Sequence, residues 1–180
     1  MFFNQAGKYG NNPCLSSRMQ QGAPYSDITW AELKKHVEDI ARYLILRGIK
    51  KGDRVAICAG NRPEWWAADL AILSIGAINV SIFAHTSPSS LAYILDHSQT
   101  ALCFVDYPNL EKLNSVRKKL KTLKNVVVFD PVNLTDKGTI TLAQAVREAA
   151  KSSKKTDLAK CLKNIKADDT ASIVYTQSIT

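Results

Sequence analysis

From about residue 26 onward, apolar positions alternate between stripes at helical spacing and short solid blocks. Leu33, Val37, Ile40 and Leu44 recur at intervals of four, three and four, which places them on one face of a helix. Thr29 with Glu32 three residues on forms a capping box, and Ile28 and Leu33 occupy the hydrophobic-staple positions. Gly48 is placed to close that helix in the left-handed conformation other residues resist. After a Lys51-Gly52-Asp53 turn, Arg54 to Ala59 is an apolar run of strand length. Asn61 is the expected cap of a second helix, with Pro63 in its first turn and apolar residues nearly all round until Gly76 ends it.

The alternation continues. Ala77 to Phe83 reads as a strand, and Ser87-Pro88 starts a helix carrying Leu91, Ile94 and Leu95. Ala101 to Val105 reads as a strand, Asn109 to Leu123 as a basic-faced helix, and Val126 to Phe129 as a strand. Leu142 to Ala150 follows as a short helix, 151 to 166 as a loop or weak helix, and Ala171 to Thr176 as a fifth strand. Residues 1 to 25 show no period and are expected to be an irregular lead-in. The strands are apolar throughout instead of alternating, which signifies burial on both faces by crossover helices. The fold class is therefore α/β: a doubly wound, mainly parallel sheet flanked by helices.

Composition changes this picture little. A chain of 180 residues with 46% hydrophobic and 22% charged residues suits one globular domain. The start lacks the basic and apolar regions of a secretory signal. The most hydrophobic stretch, Leu70 to Ala84, is shorter than the roughly 20 residues a membrane-spanning helix needs. Four cysteines show no metal-ligand spacing, and Cys58 and Cys103 sit in apolar runs, as buried free thiols of a reducing, cytoplasmic compartment would.

The net charge of +8 is local: segments 111–124 and 151–166 together carry +10, leaving −2 for the rest. In the first segment Leu110, Leu113, Val116, Leu120 and Leu123 stand at helical spacing, so its lysines belong to a solvated face. No aromatic residue interrupts either run, so bases would find no stacking platform, and a nucleic-acid-binding module is the least favoured reading. Trp65 and Trp66 read as packing aromatics, and His97 as a histidine near a helix end. His36 lies on a polar helix face. His85 lies just past a strand, where ligand crevices form in such sheets, but has no orienting partner in sequence.

Several stretches carry a family resemblance. Ile28 to Leu33 resembles the opening helix motif of the adenylate-forming superfamily, and Gly48 to Ile57 its "G-x-x-x-G-D-x-V-A-I" strand entry. Asn61 to Trp65 is similar to "N-x-x-E-W", and Leu73 to Val80 to "L-x-x-G-A-x-x-V-P", with Ser81 in place of the proline. Leu91 to Val105, containing Ile94-Leu-Asp-His-Ser98, resembles what fatty acyl-CoA synthetases place next. The likeness covers about 26 to 106 and returns at Asp168 to Thr176, so 26 to 180 is expected to be a partial AMP-binding domain, the incomplete N-terminal subdomain of an adenylate-forming enzyme. The nearest flavour is a long-chain fatty acyl-CoA synthetase.

That resemblance implies ATP and Mg2+ as cofactors and fatty acid and CoA as partners of the full-length enzyme. In the family a strand ending in Tyr-Thr leads into a glycine-rich phosphate loop, whose amides, hydroxyls and lysine meet phosphate oxygens. Ser172 to Thr176 resembles that strand, and Gln177-Ser178-Ile179-Thr180 departs from the loop. Thr176 carries over as an ATP-binding residue, while Ser178 and Thr180 supply only hydroxyls; no catalytic or metal residue carries over. The departure at Gln177 points to a frameshift, an alternative end or a truncated gene. The 180-residue chain is accordingly expected to bind no ATP or Mg2+ and to make no acyl-CoA by itself. Peripheral membrane association and self-association through an uncovered sheet remain open as partner readings.

Overall fold

The computed structural model describes residues 1–18, 22–134, 138–152 and 157–176. Where an irregular lead-in is expected, the chain forms a helix, α1 (Phe2–Tyr9), and an antiparallel pair, β1 (Pro13–Ser17) with β2 (Ser26–Thr29). The reason for the difference is tertiary. Phe2 and Tyr9 each set their rings 6.1 Å from Trp30, and Ala31 donates its amide to the Gly10 carbonyl. Phe2, Ala6 and Tyr9 do stand at helical spacing, but the stripe spans only two turns, with Gly7 inside it and Gly10 at its end, and only Ala6 is fully buried.

Helix α2 (Trp30–Leu46) has the capping box, with Thr29 and Glu32 bonded reciprocally, and buries Leu33, Val37, Ile40 and Leu44. Gly48 takes φ 81° and turns the chain into β3 (Arg54–Cys58). There follow α3 (Pro63–Ser74), β4 (Ile78–Ile82), α4 (Pro88–His97), β5 (Leu102–Val105), α5 (Tyr107–Arg117), β6 (Asn125–Val128), β7 (Thr139–Thr141), α6 (Leu142–Lys151), α7 (Leu158–Lys163) and β8 (Ser172–Val174).

Strands β3 to β8 form one parallel sheet in the order β7-β6-β5-β3-β4-β8. Side chains alternate between its faces. Val55, Ile57, Leu102, Phe104 and Val127 join the core beneath α2, α3 and α6, where Phe104 stacks on Phe129 with ring centres 5.6 Å apart. Ala56, Cys58, Val80, Cys103, Val126 and Val128 join the core beneath α4 and α5. Both Cys58 and Cys103 are buried free thiols; desolvation pushes Cys58 up to about 11 and Cys103 well above its ordinary value. No helix among the described residues is long and apolar enough to cross a membrane.

Other boundaries also differ from the pattern-based expectation. Helix α3 is preceded by Arg62, not capped by Asn61, and starts on Pro63 with no side-chain cap. Helix α5 begins earlier, capped by Asp106, and stops at Arg117, although Leu120 and Leu123 stay buried. A run of turn residues thus presents the same apolar positions that a longer helix would. Strand β7 is too short for a periodic signal; Arg117 secures its entry by donating to the Gly138 carbonyl at 2.9 Å and the Thr139 hydroxyl at 2.6 Å.

Two further contacts set the β4–β8 side of the sheet. Lys51 binds Asp169 at 2.6 Å and the Asn164 carbonyl at 2.8 Å, drawing the segment ahead of β8 against the Gly76 turn. Beneath the strands, the Asn79 amide donates to Asp69 at 2.7 Å and to the Ser81 hydroxyl at 3.1 Å. The Asn79 side-chain oxygen is buried without a partner.

Gly76 adopts φ 74°, and an added Cβ would lie 3.1 Å from Lys51 Cγ. Gly76→Ala is expected to lower unfolding stability by about 1–2 kcal/mol in urea titration, whereas Gly7→Ala, with open space around it, should cost nothing. Burial raises the Asp69 carboxyl, and the Asn79 bond only partly offsets this. An acid raised on folding favours the native state below its unfolded value and loses that contribution as pH rises through the folded one. Asp69→Asn keeps an acceptor for Asn79 and adds a donor for its unpartnered oxygen. The variant should therefore gain in stability over the parent at neutral pH, and the gain should shrink as pH falls through the carboxylate range.

Candidate functional site at the β4–β8 edge

In open α/β sheets, ligands gather beyond the carboxyl ends of the strands, where successive crossovers part to opposite faces. Here β3 leads through α3 to β4 on one side, and β5 leads through α5 to β6 on the other. The crevice between β3 and β5 is closed by the chain's own groups. Asp106 at the end of β5 accepts the Gly60 amide at 2.9 Å with one oxygen. Its other oxygen accepts the backbone amide and side chain of Asn109, which caps α5. Arg62 reaches across to Asp130 at 3.0 Å and lies over the Phe129 ring, while Asp130 accepts the Tyr107 amide at 2.6 Å.

The open space lies one strand over, on both sides of the β4–β8 pair. One cleft of about 460 Å³ runs between Trp65, Trp66, Phe83, His85 and Val174, floored by Gly60. Its walls are mostly apolar, and Phe83 and Val174 are each 63% exposed. The second hollow, about 430 Å³, mixes hydroxyl-bearing Ser81, Thr86, Ser90, Tyr93, Tyr175 and Thr176 with apolar Ile82, Phe83 and Ile94. Thr86 is buried at the turn after β4, where its amide donates to the Phe83 carbonyl at 3.0 Å. Ser87 caps α4 by accepting the Ser90 amide at 3.2 Å. Lys112 extends from α5 to the Ala84 carbonyl at 2.8 Å, which steadies that same turn.

Of the three residues expected to face ATP, Thr176 is exposed just beyond β8 and lines the second hollow. Ser178 and Thr180 lie outside the described residues. His85 lines the apolar cleft, and His36 is exposed on α2. Trp65 is partly buried against the core, but Trp66, edge-on to it at 5.6 Å, is 46% exposed and belongs to the cleft wall. His97 does more than end a helix: its Nδ1 lies 2.8 Å from the Tyr175 hydroxyl. Ser81, which stands where the family usually has proline, gives Asn79 a second acceptor inside the sheet.

Pattern reasoning missed Asp106, although an acid directly after a strand and three residues before Asn109 is a cap signature. It also missed Tyr93, and it read Tyr175 only as part of the family-like strand; the two rings come together only through the β4–β8 pairing. Among the described residues no group of three or more His, Cys, Asp or Glu converges.

Comparison with known proteins agrees with this geometry. The chain is 31% identical over 127 residues to long-chain-fatty-acid–CoA ligase 6 of Mus musculus, covering 68% of this chain and 18% of that protein. It is 28% identical over 160 residues to a long-chain-fatty-acid–CoA ligase of Mycobacterium bovis, covering 87% and 25%. With fatty acyl-CoA synthetase A of Dictyostelium discoideum it shares 29% over 109 residues, covering 59% and 16%. The chain thus spans a quarter or less of the length of these relatives. Among solved structures, coronafacic acid ligase from Pectobacterium brasiliense superposes with a TM-score of 0.78 at 23% identity, over 97% of this chain and 32% of that one. The anthranilate CoA ligase AuaEII, solved with anthranoyl-AMP, gives 0.73 at 20% identity, over 82% and 27%. The family described as AMP-binding enzyme matches residues 2–178, nearly the whole chain and including the first helix and hairpin. This chain belongs to the AMP-binding enzyme family.

Proposed function

We propose that the chain serves as the N-terminal part of a long-chain fatty acid–CoA ligase. In that reaction a fatty acid carboxylate attacks the α-phosphate of ATP, pyrophosphate leaves, and the CoA thiol then displaces AMP from the acyl-adenylate. The observation that carries the reading is the position of Tyr175 and Thr176. These residues resemble the start of the family's phosphate loop, and they follow the carboxyl end of a parallel strand beside a hollow that carries several hydroxyls. A hydroxyl such as Thr176's can donate to a phosphate oxygen there. The neighbouring cleft, walled by Trp65, Trp66 and Phe83, suits hydrocarbon better than phosphate.

Because the chain spans only 16% to 25% of those ligases, adenylation and thioester formation are assigned to a longer polypeptide, with ATP and magnesium held mainly by its other parts. Magnesium, when bound, neutralises phosphate charge in such a reaction. A second reading, self-association, is favoured by β8, which among the described residues pairs only with β4, and by the exposed Phe83 and Val174. Concentration-dependent sedimentation that persists in high salt would support it.

An antibody raised against residues 26–106 and used on the cells that make this protein tests the first reading. The precipitate should contain a polypeptide several times longer than 180 residues. It should also release AMP and pyrophosphate from ATP only when fatty acid is supplied. A precipitate holding the 180-residue chain alone, without fatty acid-dependent AMP release, would overturn it.

A further inference from the structure

Strand β8 is the least supported strand of the sheet. It has three residues, lies at the sheet's end, and only Ile173 among them is even partly buried. Its register pairing with β4 runs from Ser172 to Val174 and stops there. The next two residues, Tyr175 and Thr176, are the last ones that resemble the start of the family's phosphate loop. Side chains must therefore set the direction in which the chain leaves the sheet.

Three aromatic side chains do so. Tyr93 and His97 stand one turn apart on α4 and stack with ring centres 5.3 Å apart and planes 21° from parallel. The Tyr175 ring meets both edge-on, at 6.2 Å from Tyr93 and 5.9 Å from His97. Its hydroxyl lies 2.8 Å from His97 Nδ1. Burial first, and the neighbouring Tyr93 second, push the Tyr175 phenol above its ordinary range, so at neutral pH it keeps its proton. On its inner side Tyr175 packs against the core beneath α4. Tyr93 is 60% exposed and His97 is exposed, so the cluster is no ordinary piece of core. What it adds is orientation: an edge-to-face aromatic arrangement with a hydrogen bond fixes both the position and the rotation of one ring.

We propose that His97 is a positioning residue, which holds Tyr175 and through it aims Thr176 into the hollow beside β4. Helix α4 in turn is fixed to the sheet by Leu91, Ile94 and Leu95, all buried, so the clamp transfers the rigidity of the core to an edge strand too short to supply its own. Its value for phosphate contact rests on the ligase reading, whereas the clamp is measurable without nucleotide. A failed clamp and a failed ligase assignment therefore give separate results.

The test is backbone 15N relaxation on the full chain, compared between the Tyr175 and Thr176 amides and those of β3 and β5. His97→Ala and Tyr175→Phe should each lower the order parameters of Tyr175 and Thr176 from about 0.85 toward about 0.6. The double variant should lower them no further than the more mobile single one, because both remove the same bond. His97→Asn, whose side-chain amide reaches the position of Nδ1, should restore most of the order. The amides of β3 and β5 should not change in any variant. Unchanged order at Tyr175 and Thr176, additive effects in the double variant, or loosening throughout the sheet would overturn the proposal. Failure of His97→Asn to recover the order would overturn it as well.

Discussion

Burial of the central parallel strands on both faces is the constraint on which the rest of this structure depends. Val55, Ala56 and Ile57 of β3 have no exposed surface, and neither do Leu102, Cys103, Phe104 and Val105 of β5. A strand that must be dry on both sides needs a helical layer above and below, and parallel neighbours need crossovers long enough to supply those layers. The helices flanking β3 and β5 follow from that requirement. So does the sorting of α2, α3 and α6 to one side and of α4 and α5 to the other. At roughly 25 cal/mol per Å² of apolar surface removed from water, burial on this scale outweighs any single polar contact in the molecule.

The same constraint fixes where chemistry can occur. Parallel strands deliver all their carboxyl ends to one edge, and that edge is where side chains of unlike character meet. At β3, β5 and β6 the meeting is closed by Asp106, which accepts the Gly60 amide, and by the Arg62–Asp130 pair, whose carboxylate also accepts the Tyr107 amide. Those bonds consume the polar groups that a ligand would otherwise use. At β4 and β8 no such closure exists among the described residues, and an apolar cleft and a hollow that carries several hydroxyls lie on either side of the pair. The open space at this edge is thus displaced from the topological switch point toward the end strand.

An end strand is a poor place to hold geometry, since it has half the ladder of an interior one. This chain compensates at both ends of β8. Ahead of it, Lys51 holds Asp169 and the Asn164 carbonyl. Behind it, the cluster of Tyr93, His97 and Tyr175 continues where backbone pairing stops. Both devices link groups far apart in sequence, and neither depends on large burial.

Much was legible in the sequence because it is local. The capping box of Thr29 and Glu32, the Leu33 stripe, the Gly48 and Gly76 stops, and the solid apolar blocks of β3, β5 and β6 each follow from neighbouring residues alone. The parallel α/β class follows from the alternation of those blocks with helices, and the motifs from Ile28 to Val105 led to the right family. What only the tertiary structure decided is whatever depends on partners distant in the chain. The first helix and hairpin exist by packing on Trp30, and β7 exists by pairing with β6. Trp66 faces a cleft, and His97 finds Tyr175 across 78 residues, because sheet order brings α4 beside β8. Periodicity records which residues avoid water; it carries no information about which distant residue they meet when they do.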